Sequence, residues 1–162
     1  MPKNKESLRN VIISALEKDL NTASAAADSA RDTATSKETV AENKYDTFGL
    51  EASYLAHGQS KRVLEFQQAI HQYTTLPFKV FTPNDDIELS ALVTLATETD
   101  EEKHFFLGPE AGGFKIQWEG KYIMVITIST PLGRQLQGKN LDDTIELHLG
   151  NKSIVYDVVA IL

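Results

Sequence analysis

Gly133, four intervening residues, Gly138 and Lys139 reproduce the G-x-x-x-x-G-K spacing of a phosphate-binding loop. In such a loop, backbone N–H groups cradle phosphate oxygens and the lysine neutralises them. A Ser or Thr hydroxyl at the next position then holds magnesium. The next residue here is Asn140, which has no hydroxyl. The order of elements is wrong as well. A phosphate loop needs a strand, a glycine-rich turn and then a helix. Here Thr130 reads as a helix cap and Pro131 as a first-turn residue whose missing N–H costs nothing. Leu132 and Leu136 share one helical face, and Gly138 falls where a left-handed residue ends a helix. The spacing predicts a short helix over 131–137 and no nucleotide site.

Other residue types suited to chemistry are scattered. The chain has no cysteine, which excludes disulfides, thiolate zinc sites and a cysteine nucleophile. His57, His71, His104 and His148 stand too far apart for metal spacing. Trp118 and the Phe105-Phe106 pair read as core or sheet surface. Acids do cluster. Between Asp28 and Glu51 lie six acids, Glu38 and Glu42 among them, against three bases. The remainder of the first 74 residues is mildly basic.

These residues need elements to position them, and the periodicity supplies two kinds. Leu8, Ile12, Leu16, Leu20, Ala23, Ala27, Ala30 and Ala34 step by four and three, as do Tyr45, Phe48, Ala52, Ala56, Gln59, Val63, Phe66, Ile70 and Tyr73. Such steps keep one stripe of a helix against a partner helix. Thr35 and Glu38 have capping-box spacing, so the chain is expected to reverse near Ala34–Ser36. Large apolar residues sit at the open end of this seam and alanines toward its turn, so the distal end should bury little area. The second half reads as strands: "ELSALVTLAT", "KHFFLG", "YIMVITI", "TIELHL" and "SIVYDVVAI". "EGK" (119–121) and "GNK" (150–152) mark turns between them.

Bulk properties set the outer limits. A chain of 162 residues makes one ordinary domain or two small ones. With 41% hydrophobic and 24% charged residues it has the composition of a folded soluble protein. A formal charge of −7 argues against unaided binding of duplex DNA. No apolar run approaches the ~18 residues of a membrane span. "NVIISAL" reads as a helix face and not as a signal peptide. A cytoplasmic location is the expectation.

One resemblance unites these features. "STPLGRQLQGKNLDDTIEL" resembles the C-terminal domain of the bacterial Gre transcript-cleavage factors (GreA/GreB-like transcription elongation factors). The match falls on Thr130-Pro131, Leu136, Gly138-Lys139 and Asp143. "HFFLGPEAGG" and "VYDVVAIL" fit the same domain. "TVAENKYD" is similar to the family's hairpin-tip motif, Asp-Leu-x-Glu-Asn-x-x-Tyr, at Glu42, Asn43 and, with one residue dropped, Tyr45. The resemblance implies an α+β fold. Residues 1–74 would form an antiparallel coiled-coil helical hairpin and 75–88 a linker. Residues 89–162 would form a small FKBP-like antiparallel β domain with one short helix.

It also implies a partner, the RNA polymerase core, with nucleic acid touched only through it and no membrane. The hairpin would enter the secondary channel. Glu42, with Glu38 beside it, would supply metal-binding carboxylates to a magnesium ion shared with the polymerase active site. The chain would bind no cofactor alone and would not itself be an enzyme. Ser129, Thr130 and Pro131 align with the loop that contacts the polymerase. The sequence departs from the family at Thr39, where the tip aspartate is expected. A neutral hydroxyl is a poor magnesium ligand, so a channel-blocking inhibitor without cleavage activity stands as an alternative. A coiled-coil adaptor unrelated to transcription is another. A prolyl isomerase would need an aromatic-lined pocket in the C-terminal domain.

Overall fold

The computed structural model describes residues 4–35 and 48–162. The chain divides into two compact units, residues 13–71 and residues 1–12 with 72–162.

Two helices run through the first unit, α1 (Lys5–Thr35) and α2 (Phe48–Thr75). They are antiparallel: Ala26, Ser29, Ala30 and Thr33 of α1 line the same groove as Glu51, Ala52 and Leu55 of α2. The predicted stripe of α1 is buried at Leu16, Ala23, Ala27 and Ala30. On α2 the expected seam is less covered. Ala52, Ala56, Gln59, Val63, Phe66 and Ile70 are only half-buried; among the described residues of α2 the buried positions are Ala69 and, from the expected seam, Tyr73. Leu50, Tyr54, Leu55 and Leu64 of α2 are exposed.

Thr35 belongs to α1. It lies in the last turn of α1, where its hydroxyl donates to the Arg31 carbonyl at 3.0 Å. The reversal expected near Ala34–Ser36 and the partner Glu38 of the expected capping box run into residues 36–47, outside the described residues.

The second unit holds a six-stranded sheet, made of β1 (Leu92–Ala96), β2 (Glu102–Leu107), β3 (Lys115–Trp118), β4 (Lys121–Ile126), β5 (Thr144–Leu149) and β6 (Lys152–Ile161). The spatial order is β3-β4-β2-β1-β6-β5. All neighbours are antiparallel except β2 and β4. The expected turns form: Glu119 and Gly120, both at positive φ, join β3 to β4, and Gly150 at φ 62° opens the β5–β6 turn. Two successive left-handed residues suit the twist of a tight hairpin. The short helix α3 spans Pro131–Leu136.

Both faces of this sheet carry packing side chains, because alternate residues point opposite ways. On one face Val93, Leu95, Phe105, Leu107, Tyr156 and Val158 pack with Leu132 and Leu136 of α3. The stretch 75–88 delivers Phe81 and Ile87 into that same core. On the other face Phe106 stacks on Phe78 (5.3 Å between centroids) and meets Tyr73. Trp118 Nε1 donates to Ser7 Oγ at 2.8 Å. The start of α1 and the end of α2 thus serve as the second layer of this unit.

Candidate functional site

The residues singled out by the G-x-x-x-x-G-K spacing form the end of β4, helix α3 and the turn beyond it. Thr127 begins the arrangement. Its carbonyl accepts the Thr130 N–H (3.1 Å) and the Thr130 hydroxyl (2.7 Å). Thr130 Oγ1 in turn accepts the Gly133 N–H at 3.2 Å, which makes Thr130 the N-cap. Pro131 opens the helix, and Leu132 and Leu136 enter the core. Gly133 has a steric cause: a Cβ there would sit 1.9 Å from the Thr127 carbonyl oxygen.

The second glycine has a conformational cause. Gly138 adopts φ 83° and its N–H reaches the Ile87 carbonyl at 2.8 Å. Ile87 N–H returns to the Lys139 carbonyl at 2.7 Å. The Asn140 N–H donates to Asp143 Oδ2 at 2.7 Å, and its side-chain amide to Asp86. Every backbone group a phosphate would need is engaged in the fold. Both glycines serve the helix, and the phosphate-loop spacing is a coincidence of its two ends.

What the arrangement offers outward is a short shelf. Ser129 and Pro131 are exposed, and Ile128 beside them is 48% exposed. Ser129 Oγ lies 2.7 Å from Thr127 Oγ1. Thr130 is turned inward to its capping role. An exposed isoleucine next to a rigid polar turn is a contact feature that the sequence pattern did not mark, because "ITI" reads as a continuing strand. Of the residues expected to act, Ser129, Thr130 and Pro131 are therefore adjacent and ordered by the cap. Glu38 and Glu42, expected to bind metal, lie outside the described residues, as does Thr39. Among the described residues no three His, Asp or Glu side chains converge as a metal site. No helix among them is long and apolar enough to cross a membrane.

Two buried ionisable groups shape the electrostatics of this unit. Lys5 donates to the backbone oxygens of Lys79 (2.8 Å), Ser90 (2.6 Å) and Leu162 (2.8 Å), and sits over the Phe81 ring. Burial lowers its pKa to about 8, while three acceptors satisfy all three ammonium protons. Tyr73 donates to the Glu110 carbonyl at 2.7 Å. Burial first, and then the Glu110 charge, push its phenol above the ordinary tyrosine range. Neither group has a reaction partner beside it. Both are fastenings.

No protein-family model matches the sequence, and no curated protein matches it. Solved structures do. The transcription factor Gfh1 is 18% identical over 92% of this chain and 92% of its own, with a TM-score of 0.41. The GreA factor homolog 1 (Gfh1) protein of Thermus thermophilus is 17% identical over 93% of this chain and 94% of its own, with a TM-score of 0.40. The transcription elongation factor GreA/GreB of Nitrosomonas europaea is 24% identical over 54% of this chain and 64% of its own, with a TM-score of 0.34. The chain is similar to Gre-type factors. With TM-scores below 0.5 these likenesses carry no argument, and the function must be argued from the residues themselves.

Proposed function

We propose that this chain is a Gre-like regulator of transcription elongation that binds the RNA polymerase core. The observation that carries the reading is the Thr130–Lys139 segment. Its resemblance to the Gre C-terminal motif falls on residues that build a rigid capped helix, and beside that helix Ile128, Ser129 and Pro131 are exposed. A shelf of this kind suits a protein contact, where an apolar anchor is ringed by polar groups. Two further features agree. The first half of the chain is a pair of antiparallel helices, one of them 31 residues long, or about 46 Å. Its acids concentrate between 28 and 51.

In this reading the helical pair enters the polymerase secondary channel. Glu42, with Glu38 as its neighbour, lends carboxylate oxygens to a magnesium ion held by the polymerase. Magnesium takes hard oxygen ligands and demands near-octahedral geometry. The chain supplies charge and position, and the polymerase performs the cleavage of backtracked RNA.

A second reading rests on one residue. Thr39 stands where the family has its tip aspartate, so the chain would occupy the channel and inhibit without promoting cleavage. One experiment separates the readings. Core polymerase is first captured on the immobilised chain. RNA shortening is then followed in stalled complexes with the unaltered chain, Glu42→Ala and Thr39→Asp. Capture together with Glu42-dependent shortening supports the cleavage reading. Capture without shortening, with shortening gained by Thr39→Asp, selects the inhibitor. Failure to capture polymerase removes both and leaves an adaptor outside transcription.

A further inference from the structure

The second face of the sheet is not wholly covered by the helix ends. Beside them lies a cavity of about 200 Å³, lined by Leu92, Thr94, His104, Trp118, Lys121 and Ile123, with the end of β6 as one wall. Its lining comes from neighbouring strands, so its floor has the rigidity of the sheet. Its chemistry is divided. Leu92, Trp118 and Ile123 are buried and give an apolar floor. The Trp118 ring is fixed, because its N–H is committed to Ser7. Thr94 and His104 are a cross-strand pair joined through Thr94 Oγ1 and His104 Nδ1 at 2.9 Å. Lys121 is exposed and has no ion-pair partner among the described residues.

The other polar wall is already satisfied. The Leu162 backbone oxygen accepts from both the Leu92 N–H and Lys5. No Asp or Glu lines the cavity among the described residues. Among the described residues, the charged side chain at the rim of this apolar, indole-bearing floor is therefore the cationic Lys121. Pockets for drug-sized ligands run to roughly 300–1,000 Å³, so this one admits only a fragment. We propose that the cavity binds a small aromatic carboxylate, its ring against Trp118 and Ile123 and its charge toward Lys121. This site is separate from the Ser129–Pro131 shelf and does not depend on the polymerase reading.

Trp118 is the single tryptophan of the chain, so its emission reports on the cavity alone. The full chain is titrated with sodium benzoate at constant ionic strength, alongside neutral benzyl alcohol. Saturation transfer to the benzoate ring protons serves as a second readout. Benzoate is expected to give a saturable change with a dissociation constant in the millimolar range or tighter, and benzyl alcohol a weaker one. Lys121→Gln, at an exposed position, should weaken benzoate about fivefold, the size of a partly exposed ion pair, and leave benzyl alcohol unchanged. Ala160→Leu, which fills the cavity from β6, should abolish both. A linear or absent response to benzoate overturns the proposal. So does equal binding of the alcohol, or benzoate affinity unchanged in Lys121→Gln.

Discussion

One pair of helices is packed in two different ways along its length. Where α1 and α2 belong to the sheet unit, Leu8, Ile12 and Tyr73 are fully buried and Arg9 reaches the carbonyls of Tyr73 and Thr74, both at 2.9 Å. Within residues 13–71 the buried residues are mostly alanines, and four large apolar side chains of α2 are exposed. The first arrangement removes far more apolar area from water per residue. The second keeps the pair slender. Apolar burial is therefore denser in the sheet unit, and the helical unit is held by a seam of small side chains.

That contrast can be broken or sharpened by substitution. Tyr73→Ala removes a ring packed on Phe106 and the bond to Glu110. It should cost about 3–5 kcal/mol of the sheet unit's stability, read from urea unfolding. Gly133→Ala places a methyl on the Thr127 carbonyl, and should cost about 1–3 kcal/mol in the same measurement. Ala27→Gly, in the alanine seam, should cost only about 1 kcal/mol. Its effect should show as faster amide exchange in α1 and α2 with little change in the sheet. If Ala27→Gly proved as damaging as Tyr73→Ala, the two packings would be energetically alike and the contrast would fail. The smallest effect has the opposite sign. Gly58 lies inside α2, and a Cβ added there would meet nothing within 4 Å. Gly58→Ala should therefore add about 0.5–1 kcal/mol, read as a higher urea midpoint.

Two groups of the sheet unit give it a dependence on alkaline pH. Lys5 has a folded pKa of about 8 against 10.5 for the free side chain. The unfolded chain binds the extra proton between those values, so stability rises as pH increases from about 8 toward 10.5. Tyr73 acts in reverse. Its folded pKa is raised above 10.0, so its contribution is full below pH 10 and is lost above it. Urea midpoints measured against pH should rise from about pH 8, turn over above about 10 and then fall. Lys5→Met should flatten the rise, and Tyr73→Phe the fall.

Much of the architecture is legible in the sequence wherever its cause is local. The steps of four and three mark both helices, and Thr130, Pro131 and Gly138 mark α3 with its cap and its left-handed exit. Distant causes are hidden. The buried Lys5 reads as an exposed charge in sequence, since its acceptors lie 74, 85 and 157 residues away. The expected strand over Glu88–Thr97 starts only at Leu92, because Ser90 adopts φ 76° and hands its N–H to the Leu107 carbonyl. β3 has four residues, too few for alternation to rise above its surroundings.

The strand order also governs how the molecule is made. β6, the last of the six strands to leave the ribosome, inserts between β1 and β5. Until it emerges, β1 carries a bare hydrogen-bonding edge, and the Lys5 ammonium lacks its Leu162 acceptor. The nascent chain can wind its helices early, yet the sheet can close only after β6 has been synthesised.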